Sequence, residues 1–451
     1  MKRFIIGGTN SGCGKTTVTC AVLAALKKRG LNVAAFKCGP DYIDPMFHRK
    51  VIGVESHNLD SFFCGRDILL HLLDEYGGRS DIAVIEGVMG FYDGTIGSAY
   101  SVSELTETPA VIVIDCKGMS DSIGAVMKGF LSYLSNRIAG FIFNRLSEKL
   151  IPLAERLCEE LGTEYFGRLP KSEITIESRH LGLVTADEIA DIQVKLSRLG
   201  ELAEQYICID KLMNIGDSPI PEFEAPEIKH FSEAPTIAVA QDSAFCFIYR
   251  ENIQLLEKMG CKIVYFSPIS DKAVPKADGL LLYGGYPELY AAELSANTSM
   301  LDSINSSINL GMPTIAECGG FMYLHKNLTD RNGRTYPMAG VFDGEVFPTA
   351  RLQRFGYITM KANSDSLLCR CGDTIRAHEF HYWDSTDCGS GFTAEKTDGR
   401  TWECCHVSSS LYAGFPHINF YTDTWLAERF VRACIAYGDK NGQDKTNRPC
   451  R

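Results

Sequence analysis

The run Gly8-Thr9-Asn10-Ser11-Gly12-Cys13-Gly14-Lys15-Thr16-Thr17 gathers glycines, a lysine and hydroxyls into one short segment. An apolar stretch, Arg3-Phe4-Ile5-Ile6-Gly7, precedes it. Val18 to Lys28 follows, with Val22, Leu23 and Leu26 at helical spacing and no proline. Strand, glycine loop and helix make a phosphate cradle, because backbone N–H groups wrap an anion at the positive end of the helix. Gly12, Gly14, Lys15, Thr16 and Thr17 are therefore the expected nucleotide ligands. Lys15 would reach the β- and γ-phosphates, and the Thr16 hydroxyl would ligate Mg²⁺. Five residues, not the usual four, separate Gly8 from Gly14. An ordinary glycine-rich turn is the competing reading; a Gly-Lys-Thr placed between strand and helix favours the nucleotide loop.

A second chemistry-bearing stretch is Thr314-Ile315-Ala316-Glu317-Cys318-Gly319-Gly320-Phe321, a strand, a sharp turn and a helix with cysteine at the bend. Small residues let the backbone turn and expose the thiol, as in a nucleophile elbow. The helix N-terminus is expected to lower the thiol pKa. Gly284 and Gly285, at another strand end, can offer N–H groups to an oxyanion. Against this stands a buried structural thiol, the reading that suits most of the other sixteen cysteines.

Composition narrows the class. The chain has 451 residues, 45% hydrophobic and 22% charged, with a formal charge of −11. That length calls for two or three domains. The acidic balance argues against nucleic-acid or anionic-membrane partners. No apolar run reaches spanning length and no signal-peptide pattern opens the chain, so a cytoplasmic protein is expected. The 17 cysteines show no C-x-x-C pair and an odd count, which suggests reduced, mostly buried thiols.

The elements that must position these residues alternate. Strands are expected at 31–37, 81–87, 109–115 and 138–144, with helices at 67–76, 120–134 and 148–161 between them. That alternation predicts an α/β fold with a doubly wound, mostly parallel sheet, whose ligands sit beyond the carboxyl ends of the strands. Asp41, Asp44, Glu86 and Asp115 fall at that edge. A carboxylate ending a buried strand is costly without a partner, so Glu86 is the expected second metal anchor, with Asp41 a candidate third. For Asp41 and Asp44 the rival is turn chemistry beside proline. The first domain is placed at 1–195 and a proline-rich linker at 196–235. A second α/β domain spans 236–437, and a polar, disordered tail 438–451.

The loop with its extra residue resembles the dethiobiotin synthetase type. Lys37-Cys38-Gly39-Pro40-Asp41-Tyr42-Ile43-Asp44-Pro45, Ser56-His57-Asn58-Leu59-Asp60, Glu86-Gly87-Val88-Met89-Gly90-Phe91-Tyr92-Asp93 and Arg179-His180-Leu181-Gly182-Leu183-Val184 resemble the cobyrinate a,c-diamide synthase family. The resemblance covers nearly the whole chain outside the tail. It implies ATP-dependent amidation of two corrin carboxylates through acyl phosphates, with ammonia from glutamine hydrolysed in a class I glutamine amidotransferase-like domain.

It further implies Asn144 near the adenine, and Asp41, Tyr42, Asp44 and Asp93 near the acceptor. Phe415-Pro416-His417-Ile418-Asn419-Phe420 is similar to the family's histidine-bearing strand, which makes His417 the base for Cys318. Many amidotransferases carry an acid two residues after that histidine; here Asn419 stands there, and no orienting carboxylate can be named. His378, Glu379 and His381 invite a metal reading, but are taken as substrate-side or structural. The expected partners are small molecules, and a homodimer is allowed for. Amidation of another tetrapyrrole, such as nickel-sirohydrochlorin, or of a different side chain stays open. So does a ParA-like nucleotide switch with a degenerate second domain.

Overall fold

The computed structural model describes residues 1–94, 96–171 and 186–446. The Arg179–Val184 motif and residues 447–451 lie outside them. Two compact units divide at Pro226 and Glu227.

The first unit is built on seven parallel strands: β1 (Arg3–Gly8), β2 (Val33–Cys38), β3 (Ser56–Leu59), β4 (Ile82–Glu86), β5 (Ala110–Asp115), β6 (Ile138–Asn144) and β7 (Glu164–Leu169). Their order is β3-β2-β4-β1-β5-β6-β7. The middle strands are buried on both faces, which is why they read as unbroken apolar runs. β1 lies between β4 and β5, with Ile6 level with Glu86 and Gly8 level with Val113. The chain leaves β1 toward β2 and the adjacent β5 toward β6 in the opposite direction, so the carboxyl ends of β1 and β5 flank a switch point of the sheet.

The expected linker at 196–235 is corrected over its first half. A helix runs over Ala186–Tyr206 and a short one over Ile209–Asn214. Leu196, Leu199, Ala203, Ile209 and Leu212 share one core with Val22 and Leu26 of the phosphate-loop helix. Their spacing is an amphipathic stripe that composition alone conceals. Arg29 ties the same elements together through Glu204 at 2.7 Å and Asp210 at 2.5 Å. The chain then returns to β1, where the buried Arg3 guanidinium donates to the Ser218 and Pro219 carbonyls.

The second unit carries a six-stranded sheet in the order Lys262–Phe266, Thr236–Ala240, Gly279–Leu282, Thr314–Glu317, Leu411–Gly414, His406–Val407. All neighbours are parallel except the last pair. A second sheet contains the long antiparallel pair Phe342–Ala362 and Thr374–Ser385, and the short strand His417–Ile418 on its edge. Residues 291–309 form two consecutive helices, Ala291–Ala296 and Thr298–Asn309.

A disordered start to the tail is also corrected, because the final helix runs Thr424–Thr446, through Gly438. Leu426, Ala427, Phe430, Val431 and Cys434 anchor it in the core, and each further residue adds one backbone bond to a helix already nucleated. Among the described residues no helix is long and apolar enough to cross a membrane. The sixteen described cysteines are all free thiols.

Candidate active sites

In the first unit the phosphate loop joins β1 to the helix α1 (Lys15–Lys28). Gly14 takes φ +100°, which a side chain resists, and a Cβ there would also lie 2.2 Å from the Asn144 amide nitrogen. That amide donates to the Cys13 carbonyl over 2.9 Å, so the end of β6 clamps the loop. Lys15 Nζ folds back onto the Asn10 carbonyl at 3.1 Å. Burial lowers its pKa and nearby Lys37 adds to this, while Cys13, Glu86 and Asp93 oppose.

Glu86, fully buried at the end of β4, is the hub. Its Oε1 accepts from the Thr16 hydroxyl at 2.7 Å and from Lys37 Nζ at 3.0 Å, and its Oε2 faces His48 Nε2 at 3.4 Å. Burial alone would raise its pKa. Lys37, His48 and Thr16 outweigh that and hold it below the usual carboxylate range. Lys37 also meets Asp44 at 2.5 Å. Burial and then Asp41 push Asp44 above the carboxylate range, with Lys37 opposing. Sequence reasoning missed Lys37; its signal was a lysine ending an otherwise apolar buried strand, where an unpaired charge is not tolerated.

The remaining residues expected on the acceptor side divide. Asp41 accepts the Ile43 and Asp44 N–H groups at 2.9 and 3.1 Å, which is turn chemistry. Asp93 similarly accepts the Gly90 N–H at 2.8 Å. Asp44 alone of the three joins the Glu86–Lys37 cluster. Tyr42 lies between Asp41 and the short helix Ile43–Phe47. Asp115, at the end of β5, is held by Arg145.

In the second unit Cys318 follows the strand Thr314–Glu317 and precedes the five-residue helix Gly319–Tyr323. It takes φ +47° and ψ −104°, a strained conformation for a residue with a side chain. Its N–H is fixed to the Gly414 carbonyl at 2.8 Å, and its own carbonyl starts the helix. A Cβ on Gly320 would sit 1.9 Å from the Leu282 carbonyl, so the elbow admits only glycine there. The expected depression of the thiol pKa is corrected. Burial pushes it far up and Glu288 adds to this, outweighing the Gly319 N–H. So short a helix behind so buried a sulfur leaves the resting thiol protonated.

His417 is equally buried, and desolvation lowers its pKa to about 3, so the ring is neutral and able to accept a proton. Its Nδ1 lies 3.2 Å from Glu317 Oε2. Glu317 immediately precedes Cys318, so the elbow and the histidine strand are brought together. Gly284 backs the ring: a Cβ there would be 2.6 Å from His417 Cε1. Gly285 lies beside the elbow, its nitrogen 3.0 Å from where a Cβ on Gly319 would stand. Asn419 turns elsewhere, donating to Glu251 at 3.3 Å and accepting from the Tyr421 N–H at 2.9 Å.

Glu379 and His381 pair at 3.3 Å, and His381 stacks on Phe415 with 3.9 Å between centroids. Among the described residues no cluster of three or more such side chains could hold a metal ion.

Two family models match the chain. Residues 4–184 fit the CobQ/CobB/MinD/ParA nucleotide binding domain, and residues 236–425 fit the CobB/CobQ-like glutamine amidotransferase domain. A cobyrinate a,c-diamide synthase of Caldanaerobacter subterraneus subsp. tengcongensis is 40% identical, over 97% of this chain and 99% of its own. Those of Thermoplasma volcanium and Salmonella typhimurium are each 38% identical, over 97% and 95% of this chain and 98% and 97% of theirs. A nucleotide-binding unit and an amidotransferase unit on one chain, matched end to end by such relatives, make it a glutamine-dependent amidoligase belonging to the cobyrinate a,c-diamide synthase family.

Proposed function

We propose that this chain converts the a and c side-chain carboxylates of cobyrinic acid to amides, using ATP and glutamine. The reading is carried by the Thr16–Glu86 contact, which puts a hydroxyl and an ionised carboxylate beside the phosphate loop. Two hard oxygen donors at a phosphate site fit Mg²⁺, which keeps few protein ligands and takes the rest from phosphate and water. When bound, the ion would neutralise phosphate charge. Asp41 would reach it only by giving up its turn.

Gly12, Gly14, Lys15, Thr16 and Thr17 bind the triphosphate, and Lys15 balances charge on the transferring phosphoryl group. An acceptor carboxylate oxygen attacks the γ-phosphorus, giving an acyl phosphate and ADP. Ammonia then attacks the acyl carbon, phosphate leaves, and loss of a proton gives the amide. Asp44, Tyr42 and Asp93 bind and orient the acceptor, and Asn144 holds the loop in register for the nucleotide.

In the second unit His417 Nε2 takes the Cys318 proton as sulfur attacks the glutamine amide. The protonated ring then gives that proton to the departing ammonia, and water releases glutamate from the thioester. Gly284 and Gly285 would offer backbone N–H groups to the oxyanion. A buried, protonated thiol makes the neutral histidine indispensable.

The test is direct. The purified chain, Mg-ATP, glutamine and cobyrinic acid should yield a diamide by mass spectrometry, with one ADP and one glutamate per amide. Amidation of sirohydrochlorin but not cobyrinic acid would overturn the acceptor. ATP turnover indifferent to any carboxylate acceptor would overturn the ligase reading.

A further inference from the structure

His417 needs something to fix its ring, and the position two residues on, where many amidotransferases place an acid, is Asn419. That side chain is committed to Glu251 and the Tyr421 N–H. Ionisable side chains from two strands otherwise lie about the ring. Glu317 comes from the strand before the nucleophile, and His378, Glu379 and His381 from the strand Thr374–Ser385. His378 stands directly opposite His417 across the strand pair. Glu379 is turned to His381, whose other nitrogen meets the Trp383 carbonyl at 2.5 Å.

We propose that Glu317 is the positioning carboxylate of His417, so that orienter and nucleophile are consecutive residues on one elbow. The inference rests on the Cys318–His417 glutaminase reading. Its geometry is a two-point hold: Oε2 meets His417 Nδ1 at 3.2 Å, while Oε1 accepts the Ile418 N–H at 3.2 Å. Both carboxylate oxygens are thereby committed to consecutive residues of the histidine strand, which fixes the carboxylate plane relative to the ring.

An ionised carboxylate only accepts hydrogen bonds, so Nδ1 carries the hydrogen and Nε2 keeps its lone pair for the thiol proton. When that proton arrives, positive charge appears beside Glu317 in a site closed to water, where an opposite charge counts most. Burial raises the pKa of Glu317, and the Ile418 N–H on Oε1 opposes it, so that second hydrogen bond is what favours the ionised carboxylate beside the neutral ring. The strained backbone at Cys318 has a matching rationale, because one sharp turn must aim Glu317 at the ring and the next side chain at glutamine.

Glu317→Gln keeps the shape but can present an N–H to Nδ1, favouring the wrong tautomer. Glutaminase kcat should fall about 10²–10⁴-fold with little change in KM for glutamine. The acid limb of its kcat/KM profile should move to lower pH, because the imidazolium has lost its counter-charge. Glu317→Asp should recover part of kcat, and ammonia-dependent amidation should persist in both variants. Wild-type glutamine kcat and an unmoved acid limb in Glu317→Gln would overturn the proposal. If Glu317→Gln does not fold, a Glu317→Asp enzyme with wild-type kcat and pH profile would overturn it instead. Cys318→Ala separates the two levels: normal glutamine use by that variant sinks the glutaminase reading itself. Loss of glutamine use in Cys318→Ala beside a normal Glu317→Gln sinks only the role of Glu317.

Discussion

The Thr16 hydroxyl donates to Glu86 Oε1 over 2.7 Å, so the first turn of α1 and the end of β4 share one hydrogen bond across the phosphate loop. Lys37 approaches the same oxygen from the neighbouring strand at 3.0 Å. A carboxylate with a cation already beside it stays ionised in a site closed to water, which is the form that binds a divalent ion.

Lys15→Ala should abolish amidation with glutamine and with ammonia alike, because carboxylate activation precedes nitrogen attack. Glu86→Gln should do the same, while glutaminase in the second unit persists. Isotope exchange or ADP release, measured with each nitrogen source, checks this. Turnover by Lys15→Ala near the wild-type rate would mean that the loop does not carry the phosphoryl transfer.

Lys37→Met should be the most destabilising single change in the first unit. Lys37 stands between Asp44 and Glu86, and removing one partner of a buried ionic group costs about 3–5 kcal/mol. Denaturant unfolding should register that loss. A change of under about 1 kcal/mol, the range of an exposed pair, would show that the cluster is solvated.

Much of this was legible in the sequence, for identifiable reasons. β1, β4 and β5 announce themselves because burial on both faces forces unbroken apolar runs. β3 does not, because Ser56-His57-Asn58-Leu59 is polar yet buried. Its Asn58 amide is satisfied by the Gly39 and Asp41 carbonyls, and Ser56 by His48. The Cys318 elbow was visible as a local pattern. Glu317 as its companion was not, since the contact with His417 joins residues one hundred positions apart. The thiol pKa was misjudged because local sequence reports the helix behind Cys318 but not the depth of its burial.

Cys318→Ala should lose glutamine-dependent amidation by at least about 10³-fold yet keep it with ammonium salt at alkaline pH. His417→Ala should follow the same pattern. Asn419→Asp restores nothing, because its side chain faces Glu251 at 3.3 Å, and two buried carboxylates there should lower the melting temperature. Normal glutamine use by Cys318→Ala would assign the nucleophile to another cysteine.

Acid should unfold the second unit by way of its histidines. Burial lowers His325 to about 4, and His378 and His417 to about 3, from an ordinary 6.5. Between those values the unfolded chain binds protons that the folded one refuses. Their contribution is therefore intact above about pH 6.5 and is lost as pH falls toward 3. Melting temperature should fall as pH is lowered through that window, and His378→Gln should make the fall shallower. A flat profile in the wild type would show these rings already charged in the fold.

Gly284→Ala tests how closely the base is held. A Cβ at that position would stand 2.6 Å from His417 Cε1 and 3.4 Å from Nε2, with Phe247 Cβ at 3.4 Å on another side. The added methyl has no room unless the imidazole moves, and moving it strains the Nδ1 contact to Glu317. A displacement on the order of 1 Å at a catalytic group costs about 10²-fold. Glutaminase kcat should therefore fall by about that factor, with the nucleotide-dependent half-reaction and ammonia-dependent amidation unchanged. A steady-state comparison of the two nitrogen sources on one preparation reads this out. If Gly284→Ala hydrolysed glutamine at the wild-type rate, the imidazole would have slack at this position, and close backing by Gly284 would not be what holds the base in place.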